Sequence, residues 1–236
     1  MMGDRPAILF DLDNTLLSND MDHFIPAYFE LISAYAAAVY DPQRFVRDLI
    51  AASEVMATNT DPAVSNEQAF WGTFAQLTGR EPAEAIPFFA RFYETEFGEL
   101  RRLTAPRPEA RVVVEWALDR GYAVVVATNP MFPRIAVEKR LAWAGLGVDA
   151  FDYALVTTYE NMHATKPHPA YYREILARVG CPPADAVMVG DDWELDIQPA
   201  AAVGMRTYWV DAPAGDERAA DGRGPLAALP AWLGER

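Results

Sequence analysis

Three short, wholly apolar runs, 7–10, 124–127 and 186–189, each lead directly into a polar group: Asp11, Thr128 and the pair Gly190-Asp191. Runs of this kind read as strands buried on both faces of a parallel sheet. Ligands of open α/β sheets bind beyond the carboxyl ends of the strands, so three such endings aim their polar groups at one crevice. From about residue 106 strand and helix patterns alternate: helix 108–120, strand 122–128, helix 133–144, strand 153–157, helix 169–179, strand 186–190, helix 195–202, strand 206–210. The alternation predicts an α/β fold, a Rossmann-like, doubly wound parallel sheet with right-handed crossovers.

The stretch from about 19 to 104 breaks this alternation. It holds no convincing strand and four helical patterns, 24–40, 42–56, 67–78 and 84–97, punctuated by Pro62, Gly79, Pro82 and Gly98. It is therefore an all-helical insertion beside Asp11, and the expected organisation is a core of residues 1–18 and 105–236 with a helical cap of residues 19–104. Residues 211–224, rich in Gly, Ala, Asp and Arg, are expected to form a loose loop, followed by a short helix around 226–232.

Charge and cysteine usage narrow the function classes. A net charge of -14, from 34 acidic against 20 basic residues, disfavours nucleic acid or an anionic membrane as main partner, because both need a basic surface. Only Lys139 and Lys166 are lysines, so a lysine at 166 in this Arg-rich chain carries weight. Cys181 is the single cysteine, which excludes an intrachain disulfide and a cysteine-rich metal site and fits a reducing, cytoplasmic location. The first residues, Met1-Met-Gly-Asp-Arg-Pro6, lack a basic leader pattern, and no segment reaches the ~18 apolar residues of a membrane span.

Four motifs occur in fixed order: Asp11-Leu-Asp13-Asn-Thr15, Thr128-Asn129, Lys166-Pro167, and Gly190-Asp191-Asp192 with Asp196 downstream. Each alone is a weak signal, since Asp at a strand end often only starts a turn. Together, each at a strand end or loop, they are far harder to obtain by accident. They resemble the haloacid dehalogenase superfamily of hydrolases, over essentially the whole chain. Asp11, Asp13 and Thr15 match its first motif, Thr128 its second, Lys166 its third, and Gly190, Asp191, Asp192 and Asp196 its fourth. The insertion looks like that family's helical cap of the first type.

The chemistry expected of these residues is phosphoryl transfer. A carboxylate ionised at neutral pH, Asp11, would attack a phosphate monoester and form an aspartyl-phosphate that water then hydrolyses. Asp13, two residues on and in extended backbone on the same side, suits general acid and then base. Carboxylates facing one pocket repel, by on the order of 4 kcal/mol for two charges ~4 Å apart at an effective dielectric of about 20. A hard divalent cation, Mg²⁺, relieves this, with Asp11, Asp191 and, as the resemblance implies, the backbone carbonyl of Asp13 as ligands. The Thr128 hydroxyl and the Asn129 N–H would hold phosphoryl oxygens, and Lys166 would neutralise their charge. Asp192 and Asp196 look like groups that orient the cation's waters and Lys166.

The expected partner is a small phosphorylated metabolite, because a cap over the crevice favours small substrates; oligomeric state stays open. A phosphomutase on the same scaffold, passing the group to a second substrate hydroxyl, is the alternative. The resemblance implies that Asp13 argues against a dehalogenase, whose leaving group needs no proton. The absence of lysine from 19–104 argues against the Schiff-base phosphonate-cleaving members. A signalling receiver domain shares the acidic cluster, Thr and Lys-Pro but in the wrong order, and an inactive binding protein would show a broken motif. His23, His163 and His168 read as structural or surface groups, with His23 able to enter the pocket. Trp193 reads as packing. Phe24, Tyr28, Phe29, Tyr35, Phe70, Trp71 and Phe74 read mostly as cap core at helical spacing.

Overall fold

The computed structural model describes residues 5–234. The reading of the first six residues as lacking a leader therefore falls largely outside the described residues. In chain order the elements are β1 (Ala7–Phe10), β2 (Leu17–Asn19), α1 (Met21–Ala36), α2 (Pro42–Ala57), α3 (Asn66–Thr78), α4 (Pro82–Thr95), β3 (Thr104–Pro106), α5 (Pro108–Asp119) and β4 (Ala123–Val126). They continue with α6 (Arg134–Trp143), β5 (Leu155–Val156), α7 (Pro169–Val179), β6 (Ala186–Gly190), α8 (Gln198–Ala202), β7 (Arg206–Val210), β8 (Gly222–Gly224) and α9 (Leu229–Gly234). Six strands form a parallel sheet in the order β5-β4-β1-β6-β7-β8.

Why the apolar runs make this sheet is visible in how they divide. Ile8, Phe10, Val124, Val126, Val187 and Val189 point to one core, Ala7, Leu9, Val125 and Met188 to another. Successive side chains of a strand leave opposite faces, so a strand covered on both sides needs apolar residues at every position. Helices α5, α6 and α9 cover the first face, α7 and α8 the second. The chain leaves β1 towards β4 and β5 and then returns on the other side of β1 through β6, β7 and β8. The reversal places a crevice at the carboxyl ends of β1, β4 and β6, where Asp11, Thr128 and Asp191 follow.

The helical block α1–α4, with a 3₁₀ turn at Phe97–Leu103, hangs from a two-stranded antiparallel ribbon of β2 and β3, with Leu17 opposite Pro106 and Asn19 opposite Thr104. Local chemistry sets its helix starts. Asp20 caps α1 by accepting from the Asp22 N–H, Asp41 caps α2 ahead of Pro42, and Ser65 and Gln68 form a reciprocal capping box on α3. The aromatic rings Phe45, Phe70, Trp71, Phe74 and Phe89 pack against one another inside the block, Phe45 and Phe89 stacked at 5.6 Å.

Differences from the sequence expectation are local. Helix α1 starts three residues earlier than the periodicity suggested, because Asp20 rather than the first large apolar residue defines its end. The expected helix 195–202 is a π-helical turn at Trp193–Ile197 running into α8. The expected loose loop 211–224 is a correction: it ends in β8, paired in parallel with β7. Glycine-rich strands carry no β-propensity signal. Gly222 is required there, since a Cβ would lie 2.5 Å from Trp232 and 2.8 Å from Tyr208. The ribbon strands β2 and β3, three residues each, are too short to show a period.

Candidate active site

Asp11 follows β1 at its carboxyl end, its backbone N–H donating to the Val189 carbonyl of β6, so the sheet ladder itself fixes where the carboxylate stands. Lys166 reaches it from the loop before α7. Its ammonium, with the side chain 1% exposed, donates to Asp11 Oδ1 at 2.7 Å and to Asp196 Oδ1 at 2.6 Å. Asp196 Oδ2 accepts from the Asp192 N–H at 3.1 Å, which ties Lys166 to the loop after β6. Gly190 makes room for this: any side chain there would collide with the Asp196 carboxylate.

Carboxylate oxygens of Asp11, Asp191 and Asp196 lie within 4.8 Å of one another. Asp191 is held by the indole N–H of Trp209, which donates to its carbonyl at 2.8 Å, and by the Thr15 hydroxyl, which approaches Oδ1 at 3.4 Å. Burial, then the charges of Asp196 and Asp13, push the Asp11 carboxyl up to about 7 against the pull of Lys166. Burial and the neighbouring Asp11 push Asp191 up to about 7 as well, and burial raises Asp196. Burial by itself would lower the Lys166 ammonium, but Asp11 and Asp196 outweigh it and hold it well above the usual range. The short contacts to both carboxylates agree with a charged ammonium. One ammonium against three carboxylates leaves the cluster short of positive charge, and oxygen donors of this kind suit a hard divalent cation.

Thr128 is buried where β4 ends, and its carbonyl accepts from the Thr157 hydroxyl at 2.7 Å and the Tyr171 hydroxyl at 2.8 Å. Asn129 Oδ1 accepts from the Lys166 N–H at 3.3 Å, joining the second and third motifs. Asp192 stands apart from Lys166: its Oδ1 accepts from the N–H groups of Glu194 and Leu195 and starts the π-helical turn. Asp11, Asp13, Thr128, Asn129, Lys166, Asp191, Asp192 and Asp196 all line one cavity of about 500 Å³.

Two residues at this site were not singled out from sequence. Arg140, on α6 with its side chain 1% exposed, donates to Asp13 Oδ2 at 2.5 Å and lies over the Phe132 ring at 4.8 Å. Asn19 donates to Asp13 Oδ1 at 2.7 Å. A signal existed for Arg140: Ala136, Val137 and Leu141 mark the buried face of α6, and Arg140 falls on it, where a charge needs a partner. Among the residues weighed earlier, His23 is exposed and pairs with Asp20, His163 pairs with Glu174, and His168 caps α7. Trp193 packs on Trp209. Tyr28, Phe29, Phe70, Trp71 and Phe74 turn out to line the cavity as well as pack the block.

Comparison with known proteins agrees with this arrangement. Residues 6–204 match the family described as haloacid dehalogenase-like hydrolase. A phosphoserine phosphatase of Thermus thermophilus is 30% identical over 223 residues, covering 86% of this chain and 88% of the relative. A pyrophosphatase of Bacillus velezensis is 28% identical, covering 86% and 82% respectively. The crystal structure of a HAD phosphatase from Thermococcus onnurineus superposes with a TM-score of 0.59 at 24% identity, over 97% of this chain and 98% of that one. The family match and the names of these relatives support a phosphoric-ester hydrolase. The chain belongs to the haloacid dehalogenase-like hydrolase family.

Proposed function

We propose that the protein is a Mg²⁺-dependent phosphatase of small phosphate monoesters, working through a phosphorylated Asp11. The observation that carries this reading is the Lys166 ammonium bridging Asp11 and Asp196, with Asp191 beside them: a cationic site for phosphoryl oxygens next to an acidic site for a cation. Asp11, Asp191 and, by resemblance, the Asp13 carbonyl would hold the divalent cation, which supplies charge neutralisation at the phosphoryl group.

Asp11 Oδ attacks phosphorus, the ester P–O bond breaks, and the departing oxygen takes its proton from Asp13. Asp13 then removes a proton from the water that releases phosphate. Arg140 and Asn19, gripping both oxygens of Asp13, fix its position for the two proton transfers. Lys166, the Thr128 hydroxyl and the Asn129 N–H stabilise the charge on the transferring oxygens. Asp196 orients Lys166. The helical block 19–104 acts as a cap that keeps bulk water from the reacting centre.

A chromogenic ester, p-nitrophenyl phosphate, tests the reading. Hydrolysis should require Mg²⁺, stop on chelation with EDTA, and be lost in Asp11→Asn. Undiminished turnover in Asp11→Asn would mean that another group receives the phosphoryl unit.

A further inference from the structure

The cavity is charged at one end only. The aspartates, Lys166 and Arg140 all gather where the sheet strands end, whereas every side chain that the helical block 19–104 contributes is uncharged. Met21, Ile25, Ile32, Leu49, Phe74 and Phe89 set its character. Of the hydroxyls on this wall, Tyr28 and Tyr93 share a hydrogen bond at 2.8 Å, and the Trp71 indole donates to the hydroxyl of Tyr159 beside the block at 3.2 Å, which leaves the half-buried Ser53 as the one small polar group the block presents to the cavity. Arg140 belongs to the charged end, where Nη1 donates to Asp13, and its two remaining nitrogens, Nε and Nη2, are shielded from solvent beside that carboxylate rather than on the helical wall.

Such a wall selects against the polar ends that metabolite phosphates usually carry. An ammonium, a carboxylate or a row of hydroxyls placed there would lose its hydration and find no charged group and only the Ser53 hydroxyl in exchange. An apolar group gains from the same move, in proportion to the area it removes from water. At the ~30 Å³ that one water-sized atom occupies, about 500 Å³ holds a phosphate group and roughly ten further non-hydrogen atoms.

We propose that the substrate is the phosphate monoester of an uncharged, apolar alcohol of about this size, alkyl or aromatic, whose body occupies the cap side of the cavity. The inference rests on the phosphatase reading and narrows it, and it sets this chain's pocket apart from one suited to an amino-acid or bisphosphate ester.

The test is a series of n-alkyl phosphates from ethyl to hexyl, with 2-phenylethyl phosphate, O-phosphoserine, glycerol 3-phosphate and p-nitrophenyl phosphate, each assayed for released phosphate with Mg²⁺. Each added methylene should raise kcat/KM by about fourfold until the cavity is full. Hexyl and phenylethyl phosphate should then exceed phosphoserine and glycerol phosphate by about two orders of magnitude. In Ser53→Phe, which narrows the cavity, the preferred chain should become shorter. A flat series, a preference for the polar esters, or an unchanged optimum in Ser53→Phe overturns the proposal while leaving the phosphatase standing. No release from any ester, p-nitrophenyl phosphate included, overturns both.

Discussion

Replacing Lys166 by Met removes the ammonium and keeps the unbranched stem up to it, so the two carboxylates that grip it at 2.7 and 2.6 Å are left facing each other inside the protein. Breaking a buried pair by deleting one partner costs about 3–5 kcal/mol, because the charge that stays behind is desolvated and uncompensated. With Lys166 and Asp196 almost fully buried and Asp191 adding a third negative charge, the upper half of that range is expected. For a chain of this size each kcal/mol moves the melting temperature by about 2–4 °C, so Lys166→Met should melt roughly 8–20 °C below the parent at pH 7.5 in EDTA. The loss depends on pH in a known direction. A carboxyl whose folded pKa is raised costs stability in full above that pKa, and the cost shrinks as pH falls from there towards the unfolded value of about 4. Asp11 and Asp191 already stand near 7 with Lys166 present, and without it they rise further. The deficit at pH 5 should therefore be markedly smaller than at pH 7.5. Calorimetric melts at the two pH values decide the matter: a drop under 3 °C, or an equal drop at both, refutes the buried cluster as drawn.

Arg140→Leu leaves Asp13 with Asn19 as its one side-chain donor among the described residues and should lower stability by about 3 kcal/mol, seen as a fall of about 6–12 °C in a thermal melt. Phosphatase turnover should fall with it, and an unchanged rate would remove Arg140 from the positioning of Asp13. Gly190→Ala drives a methyl into the Asp196 carboxylate, an overpacking error of about 1–3 kcal/mol that also displaces the partner of Lys166. It should lower kcat at least tenfold, and full activity in steady-state assays would contradict that role of Asp196. Without metal, the raised Asp11 and Asp191 mean that the folded state binds more protons than the unfolded one between about pH 4 and 7, so stability falls as pH rises through this window. Mg²⁺ competes with those protons. It should raise the melting temperature more at pH 8 than at pH 5, and equal increments would argue that it binds elsewhere.

Strands β1, β4 and β6 and the positions of Asp11, Thr128 and Asp191 at their ends were legible because one physical cue carries both. A strand buried on two faces must be apolar at every position, and the first polar residue after it stands at the crevice. Ala7 to Phe10 followed by Asp11 is the clearest case. Elements stabilised by tertiary contact left no such trace. β8 is Gly222-Arg-Gly224, glycine because Trp232 and Tyr208 press on it, and nothing in those three residues announces a strand. The pairing of Arg140 leaves no mark because its partner, Asp13, lies 127 residues away in sequence, and Asn19 leaves none because it ends a strand of three residues that is too short to show a period. The aromatic residues of α1 and α3 were assigned to core packing, and they do pack. That Tyr28, Phe29, Phe70, Trp71 and Phe74 also bound a cavity depends on how four helices meet, which periodicity along one helix does not encode.

In the proposed reaction Asp11 itself receives the phosphoryl group. Acid quenching during turnover, followed by borohydride reduction and peptide mass mapping, reads this directly, because an acyl phosphate is reduced to an alcohol and a free carboxylate is not. Reduction at position 11, dependent on substrate and Mg²⁺, is the expected outcome. Phosphate release with position 11 unmodified, or reduction at Asp13, Asp191 or Asp196 instead, would contradict it.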